Sequence, residues 1–525
     1  MNTVNLAKAT CAMEAIHLAS DTLPDLLSRA VERDPNRTCL TCGDDSVAFG
    51  DLESRAVATA RAMRHEGLER GARVAVISRD CIACHEVFWA CTLAQTVLVG
   101  INWRLKPAEM VAILQHCNAQ LLIIEAALLP AFEDLRSTCP SLRRVVVLGG
   151  ADSLSHTEYA MWRDSAPATQ ALGEPSRTDV VVQLYTSGTT GPAKGVELAH
   201  TTFVDLLQGM RALGDEWMGL NQHDRLLHAL PFFHIGGLWW VVQGTLAGAA
   251  GALMPSFDAA HAVEILTEQR ITKAALVPAM IQLVLAQPGC RPGRFALEAL
   301  LYGASPIPNR LLQQAMSVFG CDFYQIYGMT ETGNMAVCLR PSDHSAHGGA
   351  YLESAGRALP GVQLKVVSTS GESLPAGEVG EICIKSPSRM VGYFNNPVAT
   401  SKIMQDGWIY TGDVGCIDAD GYVFIKDRLK DMIIYAGEKV FPAEVEAVLQ
   451  SHPGVKEAAV VGRQHPIWGE IVVAFVVADG SKPKKRGLLD YLTDRLADFK
   501  LPRVIEFIPE LPRNASGKVL KRELV

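Results

Sequence analysis

The chain has 525 residues, a formal net charge of -8 at pH 7, and a composition that is 48% hydrophobic and 20% charged. This length exceeds the size at which a single hydrophobic core stops growing, so we expect at least two domains in an ordinary globular protein. No basic run is longer than Lys482–Arg486, which argues against a nucleic-acid partner.

The N-terminal segment indicates the cellular compartment. Its first twenty residues contain one lysine and no continuous apolar stretch, so they make a poor secretory signal. We therefore expect a cytoplasmic protein in which the 13 cysteines are reduced.

Short β-rich runs alternate with helical periodicity through the first four hundred residues. The alternation predicts an α/β architecture with largely parallel sheets, followed past Leu359 by a compact β subdomain with proline- and glycine-rich turns. The predicted strands of the first part are Arg73–Ser78, Gln120–Glu125, Arg144–Leu148 and Asp179–Tyr185.

Cys81–His85 has the C-x-x-C-H spacing of a haem attachment site, and Cys39 and Cys42 form a second C-x-x-C pair. Apolar residues recur at helical spacing through this stretch, directly after the run Val74–Ile77. Haem attachment also needs export, which the N-terminus does not support. We interpret the stretch as a packed helix rather than a haem or metal site.

Residues 235–254 include no charged side chain over a length that could cross a membrane. Several glycines and Gln243 interrupt the segment, and no asymmetry of basic residues flanks it. We predict a helix buried in an α/β domain and no transmembrane segment, with a membrane span as the minority alternative.

The last hundred residues predict a small α+β domain. A domain boundary at Arg428–Asp431 gives an N-terminal domain of residues 1–429 and a C-terminal domain of residues 430–525. The expected elements of the second part are a strand pair around Tyr422–Ile434, a helix that opens at Pro442, strands Glu457–Val461 and Ile471–Val477, and a helix over Leu488–Phe499.

A loop rich in glycine and hydroxyl groups follows the predicted strand that ends at Tyr185. Glycines let the backbone approach a phosphate, hydroxyls add donors and a lysine adds positive charge, although the spacing does not match a Walker A loop. The candidate phosphate-binding residues are Thr186, Ser187, Gly188, Thr189, Thr190, Gly191 and Lys194.

This loop and five further motifs resemble, in the right order, those of the adenylate-forming superfamily, which comprises acyl-CoA synthetases, luciferases and the adenylation domains of peptide synthetases. The resemblance covers nearly the whole chain. The five motifs are Pro231–His234 (PFFH), Tyr327–Thr332 (YGMTET), Tyr410–Asp413 (YTGD), Asp427–Asp431 (DRLKD) and Asn514–Lys518 (NASGK).

The resemblance implies a large N-terminal domain of α/β subdomains plus a small β subdomain, followed by a small mobile α+β domain. It also implies a nucleotide site. Tyr327, with Gly328 and Thr330, would contact ATP from one side, and the backbone of Gly303, Ala304 and Ser305 would line the other face of adenine. Asp413 and Arg428 would bind the ribose hydroxyls. Glu331 would hold Mg²⁺, which prefers carboxylates plus phosphate oxygens, and Thr186 would be a second metal contact.

Four more residues receive roles from the resemblance. Lys518 would stabilise charge between the acid's carboxylate and the α-phosphate, and Lys430 would be the hinge about which the C-terminal domain rotates. Gly437 would help to form the pantetheine tunnel. His234, which in isolation is more often an ordinary core residue, would separate the acid pocket from that tunnel.

These assignments imply an acid–thiol ligase, an AMP-forming acyl-CoA synthetase that uses ATP, Mg²⁺ and coenzyme A. Trp239, Trp240, Met329 and Met335 suggest an apolar pocket and hence a fatty acid of medium or long chain. An aryl or other acid, a luciferase-like enzyme and a free-standing acid-adenylating enzyme remain alternatives. A non-catalytic nucleotide sensor is a further alternative, which the presence of Lys518 and Glu331 disfavours. The expected partners are the small-molecule acid, ATP and CoA, and a homodimer is a further option. The absence of an aspartate from the PFFH motif and the chain end at Val525 favour the acyl-CoA synthetase branch over amino-acid adenylation.

Overall fold

The computed structural model describes residues 21–132, 135–149, 157–186, 193–345, 349, 351–436, 438–480, 483–513 and 519–525. Within these ranges the fold is mixed α/β, as the sequence predicts, and its strands form three sheets. Up to residue 228 the elements are α1 (Leu23–Arg33), β1 (Thr38–Cys42), β2 (Asp45–Ala48), α2 (Phe49–His65), β3 (Arg73–Ile77), α3 (Ile82–Ala94), β4 (Val97–Gly100), α4 (Pro107–His116), β5 (Leu121–Glu125), α5 (Leu135–Thr138), β6 (Arg144–Leu148), β7 (Thr157–Glu158), α6 (Tyr159–Arg163), β8 (Val180–Thr186), β9 (Lys194–Ala199), α7 (His200–Ala212) and β10 (Arg225–His228).

The remaining elements continue the same numbering. They are α8 (Ile235–Ala247), β11 (Ala250–Leu253), α9 (Ala259–Glu268), β12 (Lys273–Leu276), α10 (Pro278–Leu285), β13 (Ala299–Gly303), α11 (Asn309–Phe319), β14 (Asp322–Tyr327), β15 (Val337–Leu339), α12 (Pro341–Ser345), β16 (Gly356–Ala358), β17 (Gln363–Val367), β18 (Gly380–Lys385), β19 (Gly392–Tyr393), α13 (Pro397–Ile403), β20 (Met404–Gln405), β21 (Trp408–Ile417), β22 (Tyr422–Arg428), β23 (Ile433–Tyr435), β24 (Glu438–Val440), α14 (Pro442–Gln450), β25 (Val455–His465), β26 (Gly469–Ala478), α15 (Lys485–Thr493) and β27 (Val504–Phe507).

One sheet, which we call sheet B, has the strand order β19-β9-β8-β4-β3-β5-β6-β7. Strands β3 to β8 run parallel, and β9 and β19 are antiparallel additions at one edge. Strands β3 and β5 are buried along almost their whole length, as expected for parallel strands covered on both faces. The four strands predicted in this region are therefore confirmed.

The largest sheet, sheet A, has the order β17-β18-β21-β22-β16-β15-β14-β13-β12-β10-β11-β1-β2, with β20 paired to β21. Strands β14, β13, β12, β10, β11 and β1, which are consecutive in this order, run parallel to one another. Strand β15 pairs antiparallel with β14, and the pairs beyond it, towards β17, are also antiparallel. Tyr327 ends β14, the last parallel strand, so the change of direction lies at the predicted nucleotide motif.

The third sheet, sheet C, contains β24-β23-β26-β25 with β27 alongside β26, and α14 and α15 pack against it. The expected strand pair around Tyr422–Ile434 is wrong, because β22 belongs to sheet A and β23 to sheet C. The expected helix over Leu488–Phe499 is also too long. It ends at Thr493, and the chain becomes extended at Ala497, so that Leu496 and Phe499 can pack against the core of sheet C.

Two helices resolve alternatives that the sequence left open. Residues 82–94 form α3, whose side chains are mostly buried, as the packed-helix interpretation predicts. Residues 235–247 form α8, which ends at Gly248 in a left-handed conformation that suits glycine. Throughout the described ranges, no helix is both long enough and apolar enough to cross a membrane.

Candidate active site

Three predicted nucleotide-binding side chains form one hydrogen-bonded group. The Tyr327 hydroxyl donates to Oδ2 of Asp413 at 2.7 Å, and Nε of Arg428 lies 2.6 Å from the other oxygen of that carboxylate. Asp413 is buried, with 4% exposure. Burial, together with the neighbouring Asp413, raises the pKa of Tyr327 well above its usual value, so the phenol remains a donor at neutral pH.

The strand register of sheet A brings this group together. Asp413 on β21 is directly opposite Arg428 on β22, and β22 connects through β16 and β15 to β14, which ends at Tyr327. Side chains at directly opposite positions of antiparallel strands lie close together. A carboxylate has about four acceptor positions, so Asp413 can bind both of these donors and still accept from ribose hydroxyls.

The Gly303–Ser305 segment leaves sheet A beside this group, at the end of the neighbouring strand β13. A Cβ at Gly303 would lie 2.5 Å from the carbonyl oxygen of Ile326, so glycine allows β13 and β14 to approach each other at this point. Ala304 has a left-handed φ of 68°, and Ser305 is exposed. Gly328 has a similar constraint, because its Cβ would lie 2.4 Å from the carbonyl oxygen of Asn334.

Glu331 lies in a short helical turn, Thr330–Thr332, directly after the tyrosine motif. The turn is stabilised by the Thr332 hydroxyl, which accepts from the backbone N–H of Met329 at 2.9 Å. The Glu331 carboxylate is buried at 5% exposure and accepts a hydrogen bond of 2.7 Å from Tyr393. Burial raises the pKa of Glu331, and the Tyr393 hydrogen bond and the positive charge of Arg428 and Lys194 partly oppose this increase.

Lys194 and Tyr393 connect this carboxylate to the predicted phosphate loop. The Lys194 ammonium lies 5.0 Å from the centre of the Tyr393 ring, within the range of a cation–π contact. Lys194 is also directly opposite Thr186 in the β8–β9 hairpin. Residues 187–192, which include Ser187, Gly188, Thr189, Thr190 and Gly191, lie outside the described residues. The structure therefore brings both ends of the loop close to the Glu331 group.

His234 precedes the first turn of α8, next to Phe233 with ring centres 4.8 Å apart. Its Nε2 atom is buried and has no hydrogen-bond partner among the described residues. Burial, and secondarily the positive charge of Arg104, lowers the pKa of His234 to about 4, so the ring is neutral at pH 7. A buried polar atom without a partner costs free energy, which suits a residue that contacts a ligand.

Both tryptophans of the predicted acid-pocket wall are buried in the protein interior. Trp240 donates from its indole nitrogen to the carbonyl oxygen of Leu227 at 3.1 Å, so it packs against β10 as a core residue. Trp239 instead stacks edge-on against Trp217, with ring centres 5.4 Å apart. Gly236 faces the side chains of Leu230 and Asn334.

The predicted hinge region is hydrogen-bonded to the C-terminal part of the chain. Asp427 accepts from the backbone N–H of Ala443, in the first turn of α14, at 2.8 Å. Lys430 lies 3.4 Å from the carboxylate of its neighbour Asp431. Gly437 and Lys518 lie outside the described residues.

Residues on both sides of the predicted lysine motif form ion pairs. Before the motif, Arg513 pairs with Glu457 at 2.6 Å. After it, Lys521 lies 2.7 Å from Glu446, whose carboxylate also accepts from the backbone N–H of Val460 at 2.7 Å. The Glu446 pair and Tyr393 are functional candidates that sequence reasoning missed. A Gly-Tyr pair gives little signal by itself, and Lys521 resembles a solvated lysine in a basic tail.

Residues 27–394 match the AMP-binding enzyme family, and residues 444–518 match the AMP-binding enzyme C-terminal domain. The chain belongs to the AMP-binding enzyme family. The resemblance to the adenylate-forming superfamily is thereby confirmed, and the chain is an enzyme, an AMP-forming acid–thiol ligase.

Relatives of this AMP-binding enzyme act on different acids. A fatty acid–[acyl-carrier-protein] ligase of Streptomyces coeruleorubidus is 42% identical over 511 residues, which cover 97% of this chain and 96% of the relative. A 2-succinylbenzoate–CoA ligase of Bacillus licheniformis is 34% identical, covering 95% of this chain and 99% of the relative. The crystal structure of an anthranilate CoA ligase in complex with anthranoyl-AMP superposes with a TM-score of 0.87 at 28% identity, covering 96% of each chain.

Proposed function

We propose that this enzyme is an ATP-dependent carboxylic acid–CoA ligase that acts on an apolar, medium- or long-chain fatty acid. The hydrogen-bonded group of Tyr327, Asp413 and Arg428 carries the nucleotide part of this proposal, because it joins an aromatic face and a ribose acceptor in one arrangement. The 42% identity to a fatty acid ligase over nearly the whole chain supports the choice of acid.

In the first half-reaction, a carboxylate oxygen of the acid attacks the α-phosphorus of ATP. A bond forms between that oxygen and phosphorus, the bond to the β-phosphate oxygen breaks, and pyrophosphate leaves. Lys194 and the loop of residues 187–191 would hold the departing phosphates. The expected role of Lys518 is to stabilise charge on the reacting oxygens, an effect often worth about 2.7–4 kcal/mol.

The residues around Glu331 fit a magnesium ion. Mg²⁺ prefers one or two carboxylates together with phosphate and water oxygens, and Glu331 offers a buried carboxylate of which Tyr393 uses only one acceptor position. When bound, the ion would neutralise phosphate charge. Tyr393 orients the carboxylate, and Thr186, across the hairpin from Lys194, would add a hydroxyl oxygen.

In the second half-reaction, the thiol sulfur of CoA attacks the acyl carbon of acyl-AMP. The new carbon–sulfur bond forms, the bond from the acyl carbon to the phosphate oxygen breaks, AMP leaves, and the thiol proton passes to solvent. We propose that residues 430–525 form the mobile domain and that its rotation about Lys430 brings Gly437 to the thiol. We propose that His234, which is neutral at pH 7, lies between the acid pocket and the thiol tunnel.

Two alternatives have specific support. The aryl acids named for the 2-succinylbenzoate ligase and the anthranilate ligase favour an aryl substrate, and the first relative's name favours a carrier-protein thiol in place of CoA. A panel of fatty and aryl acids, each assayed for AMP release with CoA and with a phosphopantetheinylated carrier protein, separates these possibilities. AMP release with aryl acids alone would contradict the fatty acid assignment.

The two half-reactions test the assigned residues separately. Lys518→Ala should abolish most acid-dependent ATP–pyrophosphate exchange while thioester formation from supplied acyl-AMP continues. Lys430→Pro should have the opposite effect, since a proline restricts backbone rotation at the hinge. Equal loss of both half-reactions in Lys518→Ala, or unchanged overall turnover in Lys430→Pro, would contradict the respective role.

A further inference from the structure

The β3–α3 connection places two thiols side by side. Cys81 precedes the first turn of α3, Cys84 lies within that turn, and their sulfur atoms are 3.5 Å apart. The helix connects β3 to β4, which are parallel neighbours in sheet B. A C-x-x-C pair at the start of a helix in a β-α-β unit is the arrangement of redox-active dithiols.

The two sulfurs have different environments, which suits a nucleophile and a resolving partner. Cys81 is half-buried and so can be reached from solvent, whereas Cys84 is buried. The hydrogen bond shared with Cys84 lowers the pKa of Cys81, and burial raises that of Cys84. Because the thiolate is the reactive form, Cys81 is the sulfur that reacts first.

A buried carboxylate lies next to the pair. Asp80 is 4% exposed, and its Oδ1 is 2.9 Å from Nε2 of His85. Its Oδ2 is buried without a hydrogen-bond partner in the part of the chain that the structure describes. The acid site described above does not use this atom.

A chain of aromatic contacts leads from this pair to the acid-pocket motif. The ring of His85, one residue after Cys84, meets Phe232 edge-on with centres 6.4 Å apart. Phe232 contacts Phe233 at 5.9 Å, and Phe233 contacts His234 at 4.8 Å. These contacts form a continuous row of packed rings from the first turn of α3 to His234.

We propose that Cys81 and Cys84 form a reversible disulfide on exposure to a hydroperoxide, and that this disulfide slows adenylation by displacing His85 and Phe232. The Cys81 sulfur attacks a peroxide oxygen, the O–O bond breaks, and the second oxygen leaves with a proton as an alcohol, or as water when the oxidant is hydrogen peroxide. The resulting sulfenic acid is attacked by the Cys84 sulfur, so that the S–S bond forms and water leaves. Two thiols lose two electrons and the peroxide gains them.

Geometry explains why closure affects the helix. The sulfurs must approach from 3.5 Å to the bonded distance of about 2.05 Å, so the first turn of α3 has to adjust. The backbone N–H of Asp80 donates to the carbonyl oxygen of Pro255 at 3.1 Å, just beyond β11. The adjustment therefore occurs where sheets A and B meet.

The test treats the full-length enzyme with hydrogen peroxide, then maps its peptides by mass spectrometry before and after dithiothreitol. The expected result is a Cys81–Cys84 link that the reductant removes. No link, a link from Cys81 to the nearby Cys42, or irreversible sulfinic acid at Cys81 would overturn the proposal. This mapping needs no turnover, so it stands independently of the proposed function.

The activity arm rests on the proposed function and uses acid-dependent ATP–pyrophosphate exchange. The wild-type rate should fall several-fold with peroxide and recover with dithiothreitol, whereas Cys84→Ser should show no loss that the reductant recovers. Cys91→Ser, at a buried cysteine of the same helix, is the matched control and should respond like wild type. A mapped disulfide with an unchanged rate would overturn the coupling to the acid site, and an untreated enzyme without exchange activity would instead contradict the proposed function.

Discussion

The Tyr327 hydroxyl donates to the Asp413 carboxylate at 2.7 Å across 86 residues of chain. The bond joins the residue proposed to cover adenine with the residue proposed to bind ribose. Because Arg428 holds the other oxygen of Asp413, the carboxylate has a defined orientation before any nucleotide arrives. Such preorganisation reduces the ordering cost of binding.

Tyr327→Phe should weaken ATP binding while the aromatic face is retained. The variant removes a donor from a buried carboxylate, a change worth about 0.5–1.5 kcal/mol, so we expect the KM for ATP to rise about 2- to 13-fold. Pyrophosphate exchange at varied ATP concentration measures it. Tyr324→Phe, on the same strand, removes a hydroxyl outside the Asp413 group and is the matched control. An unchanged KM in Tyr327→Phe would contradict the preorganised role.

On the acid side of the pH profile, activity should fall at a pH above the usual pKa of a glutamate. Burial raises the pKa of Glu331 in the folded enzyme, and only the ionised carboxylate can hold a cation. Tyr393→Phe removes a hydrogen bond that stabilises the charged form, so it should move that fall in activity to still higher pH. The profile of kcat/KM against pH, recorded at several magnesium concentrations, checks both expectations. A fall in activity that does not move in Tyr393→Phe would show that Tyr393 does not orient Glu331.

Glu331→Gln should separate activity from stability. A carboxyl whose folded pKa is raised contributes most stability below its unfolded pKa and loses that contribution as pH rises through the folded value. The uncharged variant does not lose this contribution, so the Tm of the variant minus the Tm of wild type should be larger at pH 8 than at pH 5. Its rate of adenylation should nevertheless fall about 10²- to 10³-fold. Parallel thermal unfolding of both proteins at the two pH values tests the sign.

Local sequence patterns predicted much of the fold. The apolar runs that end at Ile77, Glu125 and Leu148 are buried strands within one residue of their predicted bounds, because strand formation there depends on short-range propensity and burial. The family motifs likewise indicated Tyr327 and Asp413, which the structure brings together.

Long-range pairings could not be predicted in this way. Tyr393 contacts Glu331 because β19 adds to the edge of sheet B beside β9, and nothing in a two-residue strand specifies that neighbour. The strand pair expected around Tyr422–Ile434 is likewise divided, because β22 and β23 belong to different sheets. Lys521 lies in a basic stretch that resembles a solvated C-terminal tail. Its ion pair with Glu446 forms only because the fold brings the two residues together.

Gly303→Ala should impair nucleotide binding through the backbone. The added Cβ would lie 2.5 Å from the carbonyl oxygen of Ile326, a contact that only separation of β13 and β14 can relieve. We expect a loss of stability of about 1–3 kcal/mol and a raised KM for ATP. The matched control is Gly209→Ala, in α7, where a Cβ would meet no atom within 4 Å and should be neutral or stabilising. Equal behaviour of the two variants in denaturant unfolding would contradict the close approach.

Lys521→Met should loosen the segment that carries the lysine motif. The variant leaves the Glu446 carboxylate, whose pKa burial already raises, without its cation, and removal of one partner from a partly buried pair costs about 1–3 kcal/mol. Unfolding of the C-terminal part should therefore occur at lower denaturant concentration, and pyrophosphate exchange should slow because Lys518 lies three residues away. Lys456→Met, at an exposed lysine, is the control for loss of a charge. The double variant Glu446→Gln/Lys521→Met leaves no unpaired charge, so it should recover most of the stability. If it is as unstable as the single variant, the ion pair is not the cause.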